Sequence, residues 1–452
     1  MHKIDSQQLS HHLEGLAYKY RVNQWDLGAG YSTETTAQVD KGNIKQMQAA
    51  QRSFVTLRVW NNQQLIGVAS TSDLSTNGLE RIFKGALEAS YLSKPAYSTN
   101  FSPLSTAPIQ QLKVPFREAA ETIHLLNTLR RAEIDLLGRH EAITSVPSNC
   151  ITERISEVVY LNSEGALRHQ DHTAAIIYLS ARSEQIGRKP RGGDAYRQGF
   201  STSDLDIDSC IDEAVERTIS HLDYVPIRSG YYTVCFSPGA FLDLIMAFSN
   251  IFNARSVLDG VSISRRDSLG QSITVPFLSI YDHGLHPSIL NTSPFDGEGT
   301  PIQKVLLVEG GILRNFVHSE STARQFGVAP TGHAGMSAKV SVGIDTLEIA
   351  SAPGKGRGDT SLHHQTSDNF VWIDSLSALH SGVKASQGLF SLPFDGWLVK
   401  GGEKRSIDSA VMAGSICTLL NSILAIEDLP IVTPDGICPY IWVEGISITG
   451  EA

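Results

Sequence analysis

Residues 294–337 read PFDGEGTPIQKVLLVEGGILRNFVHSESTARQFGVAPTGHAGMS. Three pieces follow one another closely: Phe295-Asp296-Gly297-Glu298-Gly299, the apolar run VLLVEGGIL, and Pro330-Thr331-Gly332-His333-Ala334-Gly335. Glycine at that density, beside two carboxylates and an imidazole, predicts backbone held close to other groups, because a Cβ is what normally prevents such approach. VLLVEGGIL is apolar on either side of Gly310-Gly311, the pattern of a β-hairpin. Asp296 and Glu298 stand two apart across a glycine, a spacing that can hold a metal or a peptide amine, or cap nearby backbone amides.

Upstream, Leu9, Leu13, Leu16 and Tyr20 recur at helical spacing over 7–21. Strand-like segments follow at 30–39, 43–48, 53–60 and 65–70, with turns at Lys41-Gly42-Asn43 and Asn61-Asn62-Gln63. In the third, Val55, Leu57 and Val59 alternate with Thr56 and Arg58, which predicts one buried and one wet face. Ser75 or Thr76 then caps a helix that buries Leu79, Phe83, Ala86 and Leu87. The polar stretch 93–115 reads as a linker, 116 to about 140 as a helix, and EVVYLNSEGALRHQ as a hairpin paired with a strand at 173–182. A helix at 203–222 precedes a change of composition at 223–230. Beyond it, short strands between Gly, Pro, Asn and Asp dominate, with helices expected at 238–251 and 406–426. The fold class expected is α+β: an N-terminal antiparallel sheet with helices on one face, then a β-rich sandwich or distorted barrel. The divisions expected are 1–110, 111–225 and 226–452.

The chain has 452 residues, 41% hydrophobic and 19% charged, with a net charge of −10. It lacks the basic stripe that phosphate contacts need, so direct action on nucleic acid is not expected. The densest basic patch, 182–197, also carries Glu184 and Asp194 and reads as a solvated loop. Five cysteines, an odd number without CxxC, indicate reduced, intracellular usage. Neither an apolar leader nor an 18-residue apolar window occurs, so a cytoplasmic location and no membrane association are expected. The sequons at Asn100 and Asn291 are read as chance matches.

Other chemistry is thinly represented. His169 and His172 stand three apart in an extended strand and point to opposite faces, a poor chelate. His283 and His286, with Asp282, lie among Gly and Pro and could converge on a metal. No GxSxG elbow occurs. Cys417 reads as a buried small hydrophobe, and Cys438 as the start of a strand. The glycine-rich segments 353–359 and 396–402 match no phosphate-loop pattern and read as turns; adjacent His363 and His364 carry little signal.

The order of motifs resembles the TldD/PmbA family, once called modulators of DNA gyrase and regarded as metalloprotease subunits. The resemblance runs through Ser70-Thr71-Ser72-Asp73-Leu74-Ser75, Phe295–Gly299, Ala329–Gly335, Asp395-Gly396-Trp397, Met412-Ala413-Gly414, Pro439, Gly445 and Gly450. Zinc-bearing TldD-type members carry HExxxH on a helix just after the first strand of the C-terminal domain. The motif is related to HExxH, which on a helix places two imidazoles one turn apart with a glutamate poised to activate a metal-bound water. Here the strand YYTVCF is followed by SPGAFLDLIMAF, with one carboxylate and no histidine. The chain is therefore similar to the PmbA (TldE) type. That resemblance implies a non-catalytic subunit without catalytic or metal residues of its own, and with no cofactor. Zinc would reside in a TldD-like partner subunit, and the assembly would hydrolyse unfolded or leader peptides. Asp296, Glu298, Gly299, Gly332 and His333 are the candidate substrate-binding residues, since this region lies near the family's central cleft. The alternatives are an autonomous metallopeptidase using Asp282, His283 and His286, a peptide-binding homodimer without proteolysis, and, disfavoured by charge, a gyrase-directed regulator.

Overall fold

The computed structural model describes residues 4–93, 100–112, 120–290, 292–337, 339–351, 363 and 369–450. Asn291, part of the 93–115 linker, the start of the helix expected from 116, the segment 353–359 and His364 lie outside them. The fold is mixed α+β, with an antiparallel sheet and a closed barrel-like sheet. Two compact units form: Met1–Ile219 with Leu290–Ile302 and Ser319–Ser341, and Ser220–Ile289 with Gln303–His318 and Val342–Ala452.

In the first unit, helix α1 (Ser6–Tyr20) starts at Asp5, whose carboxylate accepts the amides of Gln7 and Gln8. Strands β1 (Gln24–Asp40), β2 (Asn43–Trp60) and β3 (Ile66–Thr71) lead into α2 (Thr76–Ser90), capped by Ser75. Helix α3 (Thr122–Gly138), strands β4 (Ile143–Asn162), β5 (Leu167–Ser183) and β6 (Arg191–Gly199), and α4 (Ile207–Ser220) complete the order. The sheet runs β3-β2-β1-β4-β5-β6. Two expected segments, 43–48 and 53–60, are one strand, because 49–52 stays in register opposite 32–35 of β1. Likewise the hairpin arm and the strand expected at 173–182 are the single strand β5.

One face carries the helices. Trp25, Leu27, Val55, Leu57 and Val159 pack beneath α1 and α2, and Ala37, Ile151, Ile177 and Leu179 beneath α3 and α4. The wet face expected for β2 is not wet. Val55–Trp60 is buried throughout, Arg58 and Thr56 included. The reason is non-local: the segments Leu290–Ile302 and Ser319–Ser341 cover that face, with Phe295 and Met336 against Tyr160.

In the second unit, five strands close on themselves in the order Gly230–Phe236, Ile441–Gly450, Ala410–Ser415, Leu389–Lys400 and Phe370–Leu376, the last pairing again with the first. A second sheet contains Leu278–Asp282, Leu347–Ser351 and the VLLVEGGIL hairpin. The hairpin pairs Val308 with Leu313 across Gly310 and Gly311, whose φ of 54° and 84° suit glycine. The helix expected at 406–426 is instead strand Ala410–Ser415, a short helix Ile416–Asn421 and strand Ile423–Ile426. Ladder pairing of Ala410–Ser415 on both sides overrides the helical spacing of its apolar residues. Cys417 is consequently exposed rather than buried, and Cys438 ends a strand, Gly436–Cys438, rather than beginning one. Helix α5 (Pro238–Ala247) stops short of the expected 251, where a 3₁₀ turn Ser249–Ile251 takes over. Among the described residues no helix is long and apolar enough to cross a membrane.

Candidate functional site

The FDGEG segment is a tight turn built around the Asp296 carboxylate. One oxygen accepts the amides of Glu298 (2.8 Å) and Thr300 (2.9 Å), and the other accepts the amide of Ala334 at 2.9 Å. Gly297 closes the same junction, donating to the Ala334 carbonyl at 2.7 Å. Asp296 thus joins FDGEG to APTGHAG. Burial, then the Glu298 carboxylate, push Asp296 up to about 7, against the three amides that favour its charged form. Gly299 has φ 72°, and a Cβ there would collide with the Tyr160 ring; Gly332 has φ 82° and sits against the Pro301 carbonyl. The imidazole of His333 meets the Thr331 hydroxyl at 2.9 Å and is buried.

Glu298 reaches the other way, into the sheet. One carboxylate oxygen accepts from Arg58 at 3.0 Å, and the other accepts the Glu320 amide at 2.8 Å. Arg58 also forks onto Asp26, its cross-strand neighbour, with Nε donating at 2.8 Å. The Tyr160 hydroxyl donates to the same Asp26 at 3.1 Å. Burial opposes the guanidinium charge, but Asp26 and then Glu298 outweigh it, leaving Arg58 held protonated. Burial, then Asp26, raise the Tyr160 phenol well above its usual range. All five candidate residues are buried; the Asp296 and Glu298 carboxylates hold backbone amides, and Glu298 also holds Arg58.

The second unit contains the segment where a zinc helix would stand. Helix α5 follows strand Gly230–Phe236, is capped by Ser237 through the Ala240 amide (3.1 Å), and buries Ala240, Phe241, Leu242, Leu244 and Ile245. Its one carboxylate, Asp243, is half-buried and pushed up to about 6 by burial and then by Asp435. One half-buried aspartate in an otherwise apolar helix is no ligand set for zinc. Asp282 accepts the Asp345 and Thr346 amides at 2.9 and 3.1 Å, whereas His283 meets Glu348 at 2.7 Å with His286 edge-on, rings 5.0 Å apart. In the first unit, Glu157, His169 and Asp171 gather on one face of β4 and β5. His169 Nε2 lies 2.8 Å from Glu157, whose carboxylate also accepts the Ile4 amide just ahead of α1, so a histidine–glutamate contact beside the start of α1 accounts for the cluster.

Residues 25–90, 113–222 and 229–450 match, in order, domain 1, the central domain and the C-terminal domain of the PmbA/TldA metallopeptidases. The chain belongs to the PmbA/TldD metallopeptidase family. It is 24% identical to the metalloprotease PmbA of Escherichia coli, over 81% of this chain and 79% of that protein. Its fold is similar to TldE of Thermococcus kodakarensis (TM-score 0.85, 19% identity, covering 97% of this chain and all of that one). It is similar also to a Thermotoga maritima protein described as a modulator of a DNA gyrase (TM-score 0.86, 23% identity, 98% and 100% covered).

For a PmbA/TldD chain, sequence reasoning found the FDGEG and APTGHAG segments but missed what they grip. Asp26 and Arg58 fall opposite one another in the β1–β2 register, so a meander with known register would have offered them as a cross-strand ion pair. Nothing local announces that Glu298 completes it.

Proposed function

We propose that this chain is the PmbA/TldE-like subunit of a TldD/TldE-type metalloprotease acting on unfolded or leader peptides, itself non-catalytic and forming part of the substrate cavity. The observation that carries this reading is α5: at the position where the resemblance puts HExxxH, the helix offers buried apolar side chains and a half-buried aspartate. Zinc does not fit that donor set, and no hydrolytic step is assigned to this chain. Family relatives include both a PmbA and a TldD homologue, the latter from Haemophilus influenzae, which supports a TldD-like subunit as the partner. Asp296, Glu298, Gly299, Gly332 and His333 take a positional role here, fixing the backbone of the cavity wall that a peptide meets. A cytoplasmic location accords with reduced cysteines and peptide substrates.

The test is reconstitution. The purified chain is expected to carry far less than one zinc per chain and to leave an unfolded peptide intact. Added to an HExxxH-bearing subunit from the same genome, it is expected to co-elute and restore hydrolysis. Stoichiometric zinc with hydrolysis by this chain alone would overturn the reading in favour of an autonomous metallopeptidase.

A further inference from the structure

A cavity of 680 Å³ opens on the helix-covered face of the first unit, the side of the sheet away from Arg58. Tyr31 and Ser53 line it, facing one another in the β1–β2 register two residues along from Ala29 and Val55, which the helices bury. Leu9 of α1 and Leu79 of α2 add buried apolar surface beside them. Strand β3 ends at Thr71, and the chain turns off into α2, so the wall there is Ser72 and Leu74. The mouth is acidic. Asp5 and Asp73 both line the cavity, neither is buried, and none of the lining residues is Lys or Arg. Asp5 Oδ1 accepts the amides of Gln7 and Gln8, and Asp73 Oδ1 accepts that of Ser75 at 3.0 Å. Asp73 Oδ2 lies 3.9 Å from Arg81, with both side chains exposed, so that contact is weak. Ser75 holds the Asp73 carboxyl below its ordinary range by hydrogen bonding, which keeps it charged. On the wall, His12 has a buried Nε2 with no hydrogen-bond partner among the described residues.

We propose that this cavity binds a small amphiphilic organic cation, its apolar body against Leu9, Tyr31 and Leu79 and its ammonium at the mouth beside Asp5 and Asp73. The site lies on the opposite face of the sheet from the FDGEG segment and stands whether or not the chain belongs to a peptidase. Its volume falls within the ~300–1,000 Å³ usual for small-ligand sites, and apolar walls with a few polar groups are their usual lining. Charge fixes the sign of the ligand. An ammonium at a half-solvated mouth keeps much of its hydration while it gains two carboxylates, so its desolvation cost is small. An anion would meet those carboxylates as like charge. The amides at the start of α1, which would otherwise attract an anion, already face Asp5. A polar atom on the ligand body supplies the partner that His12 Nε2 lacks, since a buried unpaired nitrogen is costly.

The test uses the full chain and three probes of similar shape, tryptamine, indole-3-ethanol and indole-3-propionate, titrated by calorimetry near neutral pH and at low salt. Tryptamine is expected to bind, the neutral alcohol to bind roughly 5–10-fold more weakly, and the anion to give no saturable heat. Hydrogen exchange is expected to slow with tryptamine at 4–12 and 72–79, the two segments that supply the mouth and most of the wall. Asp5→Asn with Asp73→Asn keeps both capping oxygens and removes both charges. That variant is expected to bind amine and alcohol equally, with the alcohol's affinity unchanged. Ser72→Trp, at an exposed lining position, fills the cavity and is expected to abolish binding of all three probes. Equal affinity of the wild-type chain for amine and alcohol, tighter binding of the anion, or no saturable heat with any probe overturns the proposal. An amine preference that survives the double asparagine variant, binding that survives Ser72→Trp, or protection confined to other segments overturns it as well.

Discussion

Arg58 and Glu298 meet at 3.0 Å although 240 residues separate them in the chain. Arg58 belongs to a β2 stretch whose alternation promised a wet face, and Glu298 to a glycine-rich turn. Each justifies the other. The guanidinium is buried because the turn covers it, and the turn carries a glutamate because a buried guanidinium with one carboxylate needs further hydrogen-bond acceptors. Glu298 also holds the Glu320 amide, so the contact fixes the start of a second covering segment.

Replacing Arg58 with methionine keeps most of the volume and leaves Asp26 and Glu298 buried without their cation. The expected loss is about 3–5 kcal/mol of unfolding free energy, the usual result of breaking a buried ion pair from one side. Urea denaturation of the isolated chain checks it, and a loss no larger than that of an exposed pair such as Arg255–Asp259 would refute the network's weight.

Gly299→Ala and Gly260→Ala form a matched pair. Both glycines have positive φ, 72° and 70°, but a Cβ at 299 collides with Tyr160 while one at 260 meets open space. Gly260→Ala is expected to lose about 1 kcal/mol from backbone conformation alone, and Gly299→Ala a further ~1–3 kcal/mol from overpacking. Equal losses would show that the Tyr160 ring moves freely aside.

Asp243 gives stability a pH dependence. Its folded-state pKa of about 6 lies above the ordinary 3.8, so folding favours its protonated form. That contribution is complete below about pH 4 and fades as pH rises through about 6. Asp243→Asn is expected to raise Tm at pH 8 and to flatten the decline between pH 4 and 6; a variant with the wild-type pH profile would count against a perturbed Asp243.

Ser237→Ala removes the N-cap of α5. The hydroxyl accepts from Ala240 and donates to the Asp374 carbonyl at 2.6 Å, so both groups lose a partner. A loss of about 1–2 kcal/mol is expected, measured by thermal and chemical unfolding, with partner binding unchanged at temperatures where the variant is folded.

Much of the fold was legible because its signals are local. Leu9, Leu13 and Leu16 at helical spacing, Ser75 as a cap, and Gly310-Gly311 at a hairpin each act within a few residues of themselves. The failures share one cause. The residues from Ala410 to Ser415 look helical by spacing, but two flanking strands supply ladder hydrogen bonds that spacing cannot reveal. The candidate residues were legible as a group for the same local reason, dense glycine beside carboxylates. What Asp296 and Glu298 hold was not, since their partners are Ala334, Glu320 and Arg58.

By itself the sequence determined that the 294–337 run is tight, glycine-dependent backbone and that α5 has no imidazole, because residue identity alone decides both. Only tertiary structure decided that Arg58 is a buried cation and Glu298 its second counter-ion. Burial and charge pairing depend on what arrives from elsewhere in the chain, and no periodicity within β2 encodes the segment that comes to cover it.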